Sequence, residues 1–287
     1  NASIEFTKQG IDTKESVFFQ PSFVTANGCF ARIDVLERLS DGTWHLFEVK
    51  SSSSVKKDRK HRHIEDCCFQ KFVLQENGLG VSRVSIIHLN KEYVKQGEIV
   101  PNELLEITDV TISVDKIYSS VVNQINAATT LLLKDSIDEN SCSCIYKTRS
   151  NHCDAFSYFN GELPTGSVYE LKGIREKKLK LLLDQDNTSL LDVPSAFELN
   201  LGQRLQVQSF SKEEAIINQK SIKDQLEKLY FPLHFFDYET FKSAVPKLNG
   251  LIPHGQLPFQ VSFHTLQENG NLTHFEYLAE DLEMPSK

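Results

Sequence analysis

Arg32-Ile33-Asp34-Val35-Leu36-Glu37-Arg38-Leu39 and Thr43-Trp44-His45-Leu46-Phe47-Glu48-Val49-Lys50 flank a short polar stretch, Ser40-Asp41-Gly42. The pattern of both flanks is β, and Gly42 stands where a hairpin loop needs a left-handed residue, so the stretch predicts an antiparallel hairpin. If the loop has three residues, Leu39 pairs with Thr43, and counting outward sets Asp34 opposite Glu48. Cross-strand partners hold their Cβ atoms about 4.5–5.5 Å apart. Lys50 lies two residues beyond Glu48 and so points to the same face. A two-residue loop would slip the register by one and set Val49 opposite Asp34.

Two carboxylates and a lysine on one patch of sheet have a plain reading, an exposed hairpin face with a cross-strand ion pair. The surroundings point further. Glu48 and Lys50 lie in Leu46-Phe47-Glu48-Val49-Lys50, an apolar strand where charge is expensive unless it is used. Paired carboxylates repel unless a cation sits between them, and a hard divalent ion with oxygen ligands is the natural occupant. Such an ion polarises a phosphodiester and lowers the pKa of a bound water. Lys50 would orient or activate that water, or stabilise charge developing on phosphorus oxygens.

Outward from the hairpin, Phe18 to Val24 is apolar and aromatic, a further strand. Ser51 to Arg62 is polar and basic without apolar periodicity, and reads as an exposed loop. His63 to Asn77 is helical, with Ile64, Cys67, Cys68, Phe72 and Leu74 near the helical period and Gly78 as the stop. Gln70 falls on this helix, with Asp66 one turn earlier on the same face. Val81 to Leu89 returns to strand, and Val114 to Lys134 is a long helix. Strands, helix and strand in this order suit an α/β domain with a mixed sheet. Ser167 to Leu229 is helical and charged. Its run Arg175, Lys177, Lys178, Lys180 reads as a solvated helix face, or more sharply as a phosphate-contacting connector. Tyr230 to Phe236 begins a new buried strand, and Phe259 to Leu266 with Leu272 to Leu278 forms a hairpin around Glu268-Asn269-Gly270.

The chain has 287 residues, of which 31 are basic and 39 acidic, for a net charge of −8. The acidic balance speaks against bulk nucleic-acid binding, but an enzyme that cuts nucleic acid needs only a local basic groove. No apolar run reaches the roughly eighteen residues of a membrane span. No secretion signal is visible, so a cytoplasmic protein is expected, and the two glycosylation patterns at Asn187 and Asn271 carry no weight. The opening Asn1-Ala2, without Met, is more like a tag remnant than a natural start. The ending Met284-Pro285-Ser286-Lys287 follows strand-like sequence directly, as in a piece of a longer protein.

Of the six cysteines, adjacent Cys67 and Cys68 read as buried thiols in the helix. Cys142, Cys144 and Cys153 lie in a polar stretch that builds no core of its own. Three thiolates brought together by a loop suit zinc or an iron–sulfur cluster. The fourth ligand would be His152, Cys29 or a cysteine outside this chain. Trp44 and the many phenylalanines read as core, while His61, His63 and His88 lack ligand spacing.

Asp34, the triplet Glu48-Val49-Lys50 and a helical Gln70 resemble the PD-(D/E)XK nucleases, in particular the RecB-like branch. Arg32-Ile33-Asp34-Val35-Leu36, Glu48-Val49-Lys50-Ser51-Ser52 and Asp66-Cys67-Cys68-Phe69-Gln70 look like a bacterial family of unknown function. Its members join a RecB-like nuclease domain to a DnaQ-like exonuclease domain, and the resemblance runs from about Val17 to Leu278. It implies a restriction-endonuclease-like sheet flanked by helices, and Mg²⁺ or Mn²⁺ held by Asp34, Glu48 and the Val49 carbonyl. Lys50 would be catalytic, Gln70 would position substrate or lysine, and the substrate would be nucleic acid, DNA before RNA. Lys56, Lys57, Arg59, Lys60 and Arg62 would flank its groove. Relatives carry an acid near Phe19-Gln20-Pro21, where this chain has Gln20, which weakens the expected metal binding. Nucleases of the CRISPR-adaptation and AddB type staple their domain with a four-cysteine [4Fe–4S] cluster. Cys142, Cys144 and Cys153 are similar to its three downstream ligands, with Cys29, in a strand, a poorer fourth. In a shortened chain the cluster would be absent or replaced by zinc.

Phe235-Phe236-Asp237-Tyr238-Glu239-Thr240 is similar to the first motif of the DnaQ-like, RNase H-like exonucleases, with Asp237 and Glu239 as metal ligands on one strand face. The later acidic motifs of that family lie beyond Lys287. The expected organisation is a nuclease domain over 1–165 that includes the cysteine loop, a helical connector over 166–229, and the first strands of a second domain over 230–287. Two other readings stand beside the nuclease. One is a nucleic-acid-binding module that keeps the fold without catalysis; the other is an interaction domain stabilised by zinc.

Overall fold

The hairpin forms in the register counted from the sequence. The structure is a computed structural model describing residues 2–13, 15–58, 60–139, 142–161 and 163–280. Strands β3 (Phe30–Arg32), β4 (Val35–Arg38) and β5 (Trp44–Val49) follow helix α1 (Ala2–Ile11) and strands β1 (Val17–Phe19) and β2 (Ser22–Val24). Arg38 pairs with Trp44, Leu36 with Leu46 and Val35 with Phe47. The Leu39 N–H donates to Thr43 O at 2.8 Å. Gly42 takes the left-handed φ of 81° that this three-residue loop requires. One step beyond the last pair sets Asp34 opposite Glu48.

The strand expected over Phe18 to Val24 is instead two short ones. β1 pairs with β4 and β2 with β3, both antiparallel, and the two ladders share one register. Between them Gln20 turns to a φ of 54°, and Pro21 has no N–H to give a ladder. The break is tied across by Gln20 N–H to Asp34 O at 3.0 Å and Ile33 N–H to Pro21 O at 2.9 Å. Cys29, expected in a strand, precedes β3 instead, where its N–H donates to the Thr25 hydroxyl.

Helix α2 (His63–Glu76) crosses from β5 to a parallel neighbour, β6 (Val81–Leu89). A single helical turn, α3 (Pro101–Leu104), leads into β7 (Leu105–Asp109), antiparallel to β6, and α4 (Thr111–Leu132) follows. The sheet order is β1-β4-β5-β6-β7, so the fold is α/β with a mixed sheet. The core is one-sided. Leu36, Leu46, Val84 and Ile86 of the sheet pack with Ile64, Cys67, Cys68 and Phe72 of α2 and with Val114 and Val121 of α4. Glu48 shares the face of Leu46, which puts a carboxylate at the edge of this core. Phe19, Val49 and Ile107 remain exposed.

Residues Asn1–Lys134 and Phe231–Lys287 make one compact unit, and Asp135–Tyr230 a second. The described residues of the second unit hold the cysteine-bearing stretch and the short α-helices α5 (Phe156–Asn160), α6 (Glu176–Leu183), α7 (Leu201–Lys212) and α8 (Gln219–Leu226). Its core gathers Phe156, Val168, Tyr169, Leu171, Leu179, Leu182 and Leu190. Lys178 and Lys180 of α6 are engaged locally, by Glu198 and by Asp184 with the Tyr146 ring.

β8 (Leu233–Lys242), β9 (Gln256–Leu266) and β10 (Leu272–Leu278) form a separate antiparallel sheet in the order β10-β9-β8. The sequence predicted a buried β8, and here the structure corrects it: Phe235, Phe236 and Tyr238 are 53%, 61% and 52% exposed. Backbone pairing joins strands edge to edge but covers neither face, and of the three strands only Leu257 is buried. Among the described residues no helix is long and apolar enough to cross a membrane.

Candidate active site

Asp34 lies where the β1–β4 and β4–β5 ladders meet, so both neighbouring strands reach its carboxylate. The Val49 N–H donates to its Oδ2 at 2.8 Å, and Gln20 Nε2 donates to its Oδ1 at 2.8 Å. Gln20 reaches it because the two residues are opposite partners at the break between β1 and β2. The sequence pattern flagged Gln20 as a departure from a family, but not as the partner of Asp34. The shared ladder register is the signal that would have found it.

Glu48 is 7% exposed. Lys50 Nζ donates to its Oε1 at 2.6 Å and Gln70 Nε2 to its Oε2 at 2.6 Å. Lys50 Nζ also donates to Asp66 Oδ2 at 2.7 Å, and Gln70 Nε2 lies 3.4 Å from Asp66 Oδ1. The strand period of two brings Glu48 and Lys50 to one face, and the helical spacing of four brings Asp66 and Gln70 to another. The sheet and α2 close these into one cluster. Burial pushes the Glu48 carboxyl above its ordinary range, against the hydrogen bonds from Lys50 and Gln70 that favour ionisation. Burial works against the Lys50 charge too, but the Asp66 and Glu48 carboxylates outweigh it and raise the Lys50 pKa. The ammonium is thus held charged between two acids. Asp66 was placed on the right face by the sequence, but its ion pair with Lys50 was not read there.

Asp34, Glu48 and the Val49 carbonyl are hard oxygen donors with two negative charges, the chemistry of Mg²⁺ or Mn²⁺. Each carboxylate oxygen can accept two contacts and takes one strong one from the chain, so each keeps acceptor capacity for a cation. Gln70 Oε1 is buried with no hydrogen-bond partner, which leaves one more oxygen beside Glu48 unused. The residues fit such an ion. The set has only two acids, and among the described residues no group of three or more His, Cys, Asp and Glu is placed to hold a metal.

Lys56, Lys57, Lys60 and Arg62 lie on the loop between β5 and α2, and Arg59 lies outside the described residues. Lys57 is exposed, with Nζ 3.5 Å from the Ser113 hydroxyl, and Lys60 and Arg62 are exposed as well. His63 anchors the loop: its buried Nδ1 accepts the Lys56 N–H at 3.2 Å, and its own N–H donates to Lys56 O. Burial and the nearby Lys50 charge lower the His63 pKa, which keeps the ring neutral and able to accept.

In the other unit the interaction between the neighbouring Cys144 and Cys153 thiols lowers the pKa of Cys144 and raises that of Cys153. Cys142 is half-buried against that unit's core. His152 Nε2 lies 3.0 Å from Lys147 O, and its ring stacks on Phe156 at 3.5 Å. Asp237 and Glu239 stand two apart on exposed β8, and Asp237 Oδ1 accepts the Tyr238 N–H.

No match was found among curated proteins or among solved structures. Residues 234–287, which carry the C-terminal sheet, match a family described as "Domain of unknown function (DUF2779)".

Proposed function

We propose that the chain is a metal-dependent nuclease of the RecB-like PD-(D/E)XK type, built on a restriction-endonuclease-like sheet. The observation that carries this reading is the convergence of Lys50 and Gln70 on Glu48 at 2.6 Å each, one strand away from Asp34. A divalent ion held by Asp34, Glu48 and the Val49 carbonyl would supply electrophilic polarisation of a phosphodiester and a more acidic water. The chain's own groups do the rest. Lys50 presents a fixed positive charge where negative charge develops on the phosphoryl oxygens, and Asp66 and Glu48 keep it protonated. Gln70 fixes the Glu48 carboxylate, and Gln20 with the Val49 N–H fixes that of Asp34. The basic loop from Lys56 to Arg62 flanks the approach of a DNA backbone.

Asp237 and Glu239 fit the first strand of a DnaQ-like, RNase H-like domain, an assignment supported by their i, i+2 spacing on β8. A [4Fe–4S] cluster or zinc on Cys142, Cys144 and Cys153 is supported by the contact between the Cys144 and Cys153 side chains.

A binding module without catalysis is favoured by one observation: a neutral amide, Gln20, stands on Asp34 where an acid would strengthen metal binding. Cleavage of single- and double-stranded DNA with Mn²⁺ decides between the two. The nuclease should cut, and Lys50→Ala should lose at least about a hundredfold in rate. Full metal-dependent cleavage by Lys50→Ala would sink the assignment.

A further inference from the structure

The connection between β8 and β9, residues 243–255, crosses to the sheet that carries Glu48 and Lys50, within the same compact unit. It is fastened at two places. Lys95 N–H donates to Leu251 O at 3.0 Å and Gly250 N–H to Lys95 O at 2.8 Å, while Asn249 Oδ1 accepts the Gly97 N–H at 2.9 Å. Ala244 adds a small apolar contact on the cluster of Leu89, Tyr93 and Leu104. The second fastening is His254, whose Nε2 lies 2.7 Å from the carbonyl of Ser51, the residue after Lys50.

That carbonyl sits in a gap. Past β5 the backbone stays tied to β6 by Lys50 N–H to Ile87 O at 2.8 Å and Leu89 N–H to Ser52 O at 3.0 Å. The Ser51 carbonyl between them is the acceptor His254 takes. The chain bends to deliver that ring: His254 adopts a φ of 58°, and its N–H is fixed by Ser243 O at 2.8 Å. Gly255 follows because a Cβ there would meet Ile252 O at 2.9 Å. Unusual backbone that the surroundings fully specify is found where a side chain must be aimed.

We propose that the β8–β9 connection is a strap on the candidate site, and that His254 is a positioning residue for the end of the strand bearing Glu48 and Lys50. The proposal rests on the nuclease reading for its catalytic consequence and on geometry alone for the strap itself. It gives the region similar to the family of unknown function a role in the neighbouring site, separate from any chemistry at Asp237 and Glu239.

The test uses the whole chain with His254→Ala and His254→Gln, since a glutamine amide can donate from about the place of Nε2. Hydrogen exchange read by mass spectrometry should rise at least about fivefold over residues 49–54 in His254→Ala, stay unchanged over α2, and return in His254→Gln. With Mn²⁺ and DNA, kcat should fall about tenfold in His254→Ala with KM within about twofold, as expected when a reacting group is displaced but substrate contacts remain. The glutamine variant should recover kcat. Unchanged exchange over residues 49–54, or a kcat loss that glutamine does not restore, overturns the proposal. If the unsubstituted chain cuts nothing, the nuclease reading falls, and the exchange result alone decides the strap.

Discussion

Gln20 and Asp34 are opposite partners at the point where two antiparallel ladders of one register break, joined by backbone at 3.0 Å and by side chain at 2.8 Å. The amide therefore holds the carboxylate without adding charge. Its geometry orients Asp34 through a neutral side chain.

Gln20→Glu tests that relationship. Replacing a donor by a carboxylate removes a hydrogen bond to a charged group and adds repulsion, so metal-free stability should fall by roughly 1–2 kcal/mol. A third acid should bind Mn²⁺ at least about tenfold more tightly, or about 1.4 kcal/mol. Urea unfolding without metal reads the first, and calorimetric titration of Mn²⁺ reads the second. A Kd for Mn²⁺ that is unchanged or weaker contradicts a metal at Asp34.

Lys50→Ala and Asp66→Asn separate charge from position. The Lys50, Glu48 and Asp66 side chains are 25%, 9% and 40% exposed, so the ion pair with Glu48 is the drier one. Losing Lys50 leaves Glu48 nearly buried without its counter-charge and should cost roughly 2–3 kcal/mol, below the figure for a fully buried pair. Asp66→Asn keeps the shape at a more exposed position and should cost less than about 1 kcal/mol. Urea unfolding of both variants checks the order, and equal losses would contradict it.

Much of the first sheet was legible because its signals are local and periodic. Ser40-Asp41-Gly42 set the hairpin register, Gly78 ended α2, and the period of two placed Glu48 with Lys50. The element boundaries of β6 and β10 could be read from apolar runs bounded by turn residues. What escaped the sequence depends on contacts across the fold. The left-handed Gln20 broke a strand that its apolar neighbours suggested, and β7 alternates too weakly to show before it pairs with β6. Burial of β8 was misjudged because an aromatic run predicts affinity for a covering layer, not the layer. His254 and Ser51 lie 203 residues apart, and no local pattern links them.

Leu46→Ala probes the core under the site. Leu46 is fully buried between its strand neighbours and α2, on the face it shares with Glu48. The lost contacts and the cavity should destabilise by about 2–5 kcal/mol, against about 0.5–1.5 kcal/mol for Ile86→Val on the adjacent strand. Chemical denaturation at constant m-value tests it, and a loss under about 1 kcal/mol for Leu46→Ala would mean that the core is looser than described.

Acid should loosen the base of the basic loop through His63. Its ring is buried, lies near the Lys50 charge and accepts the Lys56 N–H, so its pKa in the folded chain is below the ordinary 6.5. Between those two values the unfolded chain binds the proton and the folded chain does not, so stability must rise with pH. The contribution of His63 is complete above about pH 6.5 and is lost as pH falls through the lower, folded value. His45 is lowered too, chiefly by burial, and adds to the same trend, so the slope of the intact chain alone does not isolate His63. The difference between the intact chain and His63→Gln does, because glutamine offers an acceptor without titrating. From pH 7 to pH 5 the intact chain should lose more stability than His63→Gln, and the protection of the Lys56 amide, relative to its intrinsic exchange rate at each pH, should fall only in the intact chain. Parallel stability curves for the two proteins would show that His63 does not stay neutral for the sake of the loop.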